Sequence, residues 1–387
     1  MFKDFHRRNT IPIVVTLIAI ILLTLLPNKF PPKVYEDTER VSAKVLSTDE
    51  SFIINTGLIK TGEQLCDIQI LEGKFKGEVT RGTNRLSGSL EADKIFQAGD
   101  KILVTLDYTG NEIRVATLVD HYRLNYEILL VAIFVVVLIG FAGIVGIKSI
   151  LSFIFTVLAM WKVLIPLFLQ GYNPVIVGII TTMILIITII VLVYGIDKKS
   201  LAAIIGSLSG ALVTCFMALF FVSKFKIHGA VMSYSESLLY SGYENLNLTQ
   251  IFIASIFIAS SGAVMDVAVD ITSAVAEVIE KKPSITKKEA IKSGINVGRS
   301  IMGTMMTTLL LAYSGGYIGL LMVFMAQGTP IINILNLKYV SSEILHTLIG
   351  SFGLVTVAPF TALASGLLLA AKEKKEECLE KAWEVLR

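Results

Sequence analysis

Seven apolar runs follow one another between residues 127 and 371, each long enough for a helix to cross the roughly 30 Å hydrocarbon core of a bilayer. They fall near 127–146, 149–169, 174–195, 200–222, 250–271, 300–325 and 343–371. In lipid every backbone N–H and C=O must be satisfied within its own segment, so such runs fold as helices. An eighth run, Ile11–Leu26, follows Lys3, Arg7 and Arg8. It ends in Leu25-Leu26-Pro27-Asn28-Lys29 instead of the small residues a cleavable signal peptide needs, so it reads as a retained anchor. Composition agrees: 17% of residues are charged, against about 25% in soluble domains.

Residues 34–121 are unlike the rest. Short alternating segments such as Arg40–Leu46, Cys66–Leu71, Lys101–Asp107 and Glu112–Val119 are separated by the turns Glu72-Gly73, Ala98-Gly99-Asp100 and Thr109-Gly110-Asn111. Five or six strands in so short a stretch predict a small OB-like β-barrel. A barrel that binds single-stranded nucleic acid wants exposed aromatics along a basic groove. Phe52, Phe75, Phe96 and Tyr108 are too few for that, and a net charge of +3 adds no argument for nucleic acid. Cys66, Cys215 and Cys378 lie in three different regions, which predicts neither a disulfide framework nor a zinc site. The expected architecture is an α-helical polytopic membrane protein of about eight spans with an inserted small β-barrel. Its parts are residues 1–28 (terminus and anchor), 29–125 (β-rich domain), 126–371 (seven-helix domain) and 372–387 (charged tail).

Orientation follows from the positive charge of short loops. With the N-terminus cytoplasmic, the inside segments hold seventeen Lys and Arg residues, among them the loop charges Lys148, Lys198, Lys199, Lys287, Lys288 and Lys292, while the short outside loops hold Lys224, Lys226 and Lys338. This predicts both termini in the cytoplasm and the β domain outside it. Long domains cross regardless of charge, so the thirteen basic residues of 29–125 do not count.

One constellation carries chemistry. Asp266, Asp270, Ser273, Glu277 and Glu280 recur at helical spacing and form an acidic stripe on one face of the sixth span. Lys282-Pro283 ends that helix, and Thr286-x-x-Glu289 has the spacing of a capping box for the next, which carries Lys288, Lys292, Asn296, Arg299 and Gly303 on one face. Folded as an antiparallel hairpin, the two bring Arg299 level with about residue 269. The expectation is an acidic stripe facing a basic one, with Arg299 paired to Asp266 or Asp270. Ser260, Ser261, Thr304, Thr307, Thr308, Tyr313 and Ser314 would line the inside of the pair. A carboxylate within the core must face protein or a water-filled cavity, so Asp266 reads either as half of a structural ion pair or as a proton or cation site tuned by Arg299. Lys162 and His346 are further polar residues inside spans, and Gly206-x-x-x-Gly210 and Gly315-Gly316-x-x-Gly319 are small-residue faces suited to helix packing.

No metalloprotease, Walker A or dinucleotide pattern occurs, so no enzyme, cofactor or metal is expected. The stretches Ala259-Ser-Ser-Gly-Ala-Val-Met-Asp-Val-Ala-Val-Asp-Ile-Thr-Ser-Ala and Gly298-Arg-Ser-Ile-Met-Gly-Thr-Met-Met-Thr-Thr-Leu-Leu-Leu-Ala-Tyr-Ser-Gly-Gly resemble the signature segments of the YibE/F-like family of bacterial multi-pass membrane proteins. The resemblance runs over most of the chain and implies a location in the bacterial cytoplasmic membrane; it implies a topology rather than an activity. The expected function is a transporter or permease, with protons or a cation as the candidate coupling ion and the bilayer as its surroundings. The alternative is a membrane scaffold or envelope-stress component whose β domain binds a protein partner outside.

Overall fold

The computed structural model describes residues 2–27 and 37–370. The charged tail 372–387 expected from the sequence lies outside the described residues. The chain divides into two compact units, Phe30–Phe141 and the combination of Met1–Lys29 with Ala142–Arg387.

The first unit holds six strands: β1 (Thr38–Asp49), β2 (Ile53–Asn55), β3 (Lys60–Ile70), β4 (Val79–Ser87), β5 (Lys101–Thr109) and β6 (Glu112–His121). Hydrogen bonding runs β1-β5-β6-β4-β3, and β1 also pairs with β3, so five strands close into a barrel while β2 extends β3. All pairings are antiparallel except β4 with β6. This is the small closed barrel the turn spacing predicts. Alternation supplies its core: Val41, Ala43, Val45, Cys66, Ile68, Ile70, Ile102, Val104 and Leu106 all point inward. Phe75 and Phe96 complete that core, so two of the four aromatics named above are interior groups.

A buried amide holds the β4–β5 connection in place. Gln64 on β3 is fully buried; its Nε2 donates to the Phe96 carbonyl at 2.8 Å and its Oε1 accepts from the Phe96 N–H at 3.0 Å. Gln64→Leu would strand both backbone groups, and the expected loss is about 2–3 kcal/mol of barrel stability, measured by urea unfolding. Asp93 does similar work at the surface, accepting from the backbone N–H of Ser87 (2.9 Å), Gly88 (2.6 Å) and Ser89 (3.0 Å). The Ser87 N–H first, with burial opposing it, holds the Asp93 carboxyl below its ordinary value of 3.8. A lowered folded-state value contributes stability above the unfolded value and loses it as pH falls through the folded one. The protection of the Ser87–Ser89 amides, relative to an unfolded peptide at the same pH, is therefore expected to be high at pH 7 and to fall below about pH 4. The unit ends with α2 (Leu124–Ala142), an apolar helix whose polar residues, Asn125, Tyr126 and Glu127, sit in its first turn.

The second unit is helical. It contains α1 (Phe2–Leu25), α3 (Ile144–Ala159), a π-turn over Met160–Leu164, α4 (Ile165–Leu169), α5 (Pro174–Tyr194), α6 (Lys198–Lys224) and α7 (Ser235–Tyr240), then α8 (Leu248–Lys281), α9 (Lys287–Ser314), α10 (Ile318–Ala326), α11 (Ile331–Asn336) and α12 (Lys338–Leu369). Counting α2, seven helical segments among the described residues are long and apolar enough to cross a membrane, and Thr10–Leu25 is a shorter apolar helix. Caps mark the boundaries. Asn173, Asp197 and Asn247 each accept from a first-turn N–H, and Thr286 with Glu289 forms the expected capping box of α9. Pro166 cannot donate to the carbonyl four residues back, and the π-turn stands immediately before it.

The centre of the bundle is α6, α8 and α12, brought together by residues without bulk. A Cβ at Gly206 would overlap Thr361 Oγ1 and stand 3.0 Å from the Thr361 Cα; one at Gly210 would lie 2.8 Å from Val264 and 3.3 Å from the Gly353 carbonyl. The Gly206/Gly210 pair is thus the packing face expected of it. Gly315, Gly316 and Gly319 have nothing within 4 Å and do not serve that purpose among the described residues.

Candidate functional site

α9 lies against α8 and α12 along a line of small contacts. A Cβ at Gly294 would meet Val275 and Ala362, both at 2.9 Å; one at Gly298 would meet Ile271 at 3.0 Å and Ala358 at 2.9 Å. Gly294 is thus level with Val275 and Gly298 with Ile271. By this register Arg299 stands level with Asp270, Lys292 with Glu277, and Gly303 with Asp266. The antiparallel hairpin and its register agree with the sequence-based expectation to within a residue.

The facing does not. Among the described residues Arg299 makes no ion pair within 4.0 Å with Asp266 or Asp270; the hairpin's ion pair is Lys282–Glu289, at 3.7 Å beside the turn. The reason is the line of contact itself. Ile271 and Val275 occupy the side of α8 that meets α9, and Asp266, Asp270, Glu277 and Glu280 fall on the opposite, exposed side. On α9 the contact is made by Ala290, Gly294 and Gly298, and Lys292, Asn296, Arg299, Ser300, Gly303 and Thr304 are exposed. Oppositely charged faces at matching heights therefore point away from each other, on the outer sides of the α8–α9 pair. The α8–α9 hairpin buries its small and aliphatic residues and leaves its charges outside.

Ser260 is buried inside the bundle, and other hydroxyls of this set bond within their own helices. Ser261 Oγ donates to the Ile258 carbonyl (2.7 Å), Thr304 Oγ1 to Ile301 (3.0 Å) and Thr308 Oγ1 to Thr304 (3.1 Å), each within its own helix. Ser273, from the acidic stripe, is held at 2.9 Å from the Tyr194 hydroxyl of α5. Tyr313 packs edge-on against His346 (centroids 5.7 Å apart), which also meets Phe252 and lies 3.4 Å from Ser255 Oγ.

Two lysines find carbonyls. Lys162 donates to the Leu26 carbonyl at 3.1 Å. Lys148, read from sequence as a loop charge, is buried in α3 and donates to Val193 near the C-terminal end of α5 at 3.3 Å, where unpaired carbonyls attract a cation. Sequence reasoning also missed Glu343. It lines a cavity of about 230 Å³ with Leu310, Ser314, Tyr317, Leu320 and Val340, and it accepts from the Tyr317 hydroxyl. The signal was available: a carboxylate inside an apolar run, three residues before His346 and so on the same helix face. Among the described residues no group of three or more His, Cys, Asp or Glu side chains is placed to hold a metal ion.

Apolar helices of membrane-crossing length joined to a small β-barrel define a multi-span membrane protein. Comparison with known families is specific: residues 130–371 match the YibE/F-like protein family and residues 35–121 match the YibE/F family N-terminal domain. The chain belongs to the YibE/F family, barrel and helical domain alike, as the two signature stretches indicate. Neither a curated protein nor a solved structure matches it.

Proposed function

We propose that this chain is a permease-like transporter of the bacterial cytoplasmic membrane, coupled to protons or another cation at Asp266. The observation that carries the reading is the pair of charged faces on α8 and α9 that the chain's own bundle leaves uncovered. Charged groups inside a membrane domain face protein or water, and carboxylates so placed mark ion and proton pathways. The charge asymmetry of the short loops supports a topology with both termini cytoplasmic and the barrel outside. In that orientation Asp266 lies in the cytoplasmic third of the core, and Glu343, His346 and Tyr313 lie near its outer boundary. Titratable groups then stand at both ends of one helix trio.

The test is a concentration jump over proteoliposomes adsorbed on a capacitive electrode, with protons, Na⁺ and K⁺ applied in turn. A transient charge displacement for at least one ion is expected. Its absence for all three sinks the coupling.

A second reading is favoured by the barrel. Phe52, Ile54 and Leu58, in and beside β2, are 60%, 63% and 87% exposed, an apolar patch of the kind that marks a protein-binding surface. On that reading the chain is a scaffold, removal of residues 34–121 abolishes function, and Asp266→Asn merely lowers stability.

A further inference from the structure

β4 and β6 run parallel, with Gly82 level with Ala116 and Thr83 with Thr117, so both strands finish at the same end of the barrel. From that end β6 enters α2 through only Tyr122 and Arg123, and β4 enters the turn that carries Leu90. β3 starts at this end too: Thr61 is level with Ser87, and β2 pairs with it through Ile54–Thr61 and Asn55–Lys60. The β2–β3 turn, closed by the Thr56 N–H donating to the Ile59 carbonyl at 3.0 Å, therefore reaches past the last residue of β4. A Cβ at Gly88 would lie 3.4 Å from Ile59 Cδ1, so the two turns adjoin.

This end is apolar. Phe52, Ile54, Leu58 and Leu90 are 60%, 63%, 87% and 76% exposed, and Phe52 and Ile54 share one face of their strand. The opposite end, made by the β3–β4 connection and the β5–β6 turn, presents Lys74, Lys76, Glu78 and Asn111 beside Val79. A protein-binding patch can stand anywhere on a barrel. This one stands at the end from which the chain enters the bilayer, where an exposed apolar patch meets lipid.

The distances agree. From His121 to the start of α2 the chain spans at most about 11 Å. The polar first turn of α2, Asn125, Tyr126 and Glu127, adds about 6 Å before the helix becomes apolar at Ile128. The β2–β3 turn projects about two residues past Ser87, or roughly 7 Å, towards the same boundary. What separates its tip from the hydrocarbon is then at most about 10 Å, close to the thickness of one headgroup layer, about 5–8 Å.

We infer that Phe52, Ile54, Leu58 and Leu90 dock this end of the barrel on the lipid surface of the leaflet that α2 enters. The inference rests on α2 crossing the membrane and is independent of transport. It claims for lipid a patch that the scaffold reading gives to a protein.

The test uses the full-length chain with Cys378→Ser, whose remaining cysteines Cys66 and Cys215 are buried. Leu58→Cys, Leu90→Cys and, at the polar end, Lys76→Cys are labelled singly with a nitrobenzoxadiazole fluorophore. Each is placed in nanodiscs of phosphatidylcholine and phosphatidylglycerol. At positions 58 and 90 the emission should shift to the blue, and headgroup-nitroxide lipids should quench it several-fold more than at position 76. At position 76 aqueous iodide should be the stronger quencher. Water-like emission and equal iodide quenching at all three positions overturns the proposal. So does a fluorophore at 58 that is wet in these nanodiscs and shielded only in native envelope membranes, which makes the patch a protein surface.

Discussion

Asp266→Asn is expected to reduce the ion-induced charge displacement at least tenfold while leaving the protein folded. Asparagine has nearly the shape of aspartate and keeps a hydrogen-bonding end, but it cannot exchange a proton or neutralise a cation. Among the described residues Asp266 touches no cation, and it is not part of the packed line that joins α8 to α9 and α12, so no packing is lost. A tenfold loss corresponds to about 1.4 kcal/mol of ion binding, a modest demand on a carboxylate that water reaches inside a low-dielectric region. The unfolding midpoint in detergent should move by no more than a few degrees. The opposite pattern, a full signal with a markedly lower midpoint, belongs to the scaffold reading.

Gly206→Val should have the largest effect on folding. The α6–α12 contact is built on absent side chains. The position a Cβ would take at Gly206 is occupied by Thr361 Oγ1, with the Thr361 Cα only 3.0 Å away, so rotating the threonine does not clear the space. A valine there must push two long helices apart and open the layer formed by Val264, Leu354 and Val357. The expected cost is about 3 kcal/mol or more, seen as a collapse in the fraction recovered monodisperse after extraction. Gly319→Val, at a position with nothing within 4 Å, should be recovered like the wild type.

Much of this molecule is legible in one sequence because its solvent is apolar. Hydrocarbon demands long apolar helices, and α5, α6 and α8 lie close to the runs read from residues 174–195, 200–222 and 250–271. The barrel is legible for a different reason: Gly73, Gly99 and Gly110 adopt positive φ at the turns, and strand alternation survives between them. The α8–α9 register is readable because Pro283 and the Thr286–Glu289 box set the length of the turn. Helix rotation is not. Two stripes can share a register and still face away from each other, and the choice depends on whether charges or small residues bring the backbones closer. Gly294 and Gly298 decide it, and their role emerges only with Ala358 and Ala362 of a helix sixty residues further along. Lys148 was misread for a similar reason, since its partner carbonyl, Val193, lies 45 residues away. Glu343 differs: its place within an apolar run was visible and its cavity was not.

The most direct test is the aqueous accessibility of the α8–α9 faces in the intact membrane. Single cysteines at positions 262, 266, 296, 299 and 303, and on the apolar face of α6 at 212, 216 and 219, can be challenged with a membrane-impermeant thiosulfonate. The expected result is rapid labelling at 262, 266, 296, 299 and 303, and none at the α6 positions. Labelling at 266 and 303 no faster than at 212, 216 and 219 would contradict water-reached charged faces and leave Asp266 without a path for its ion.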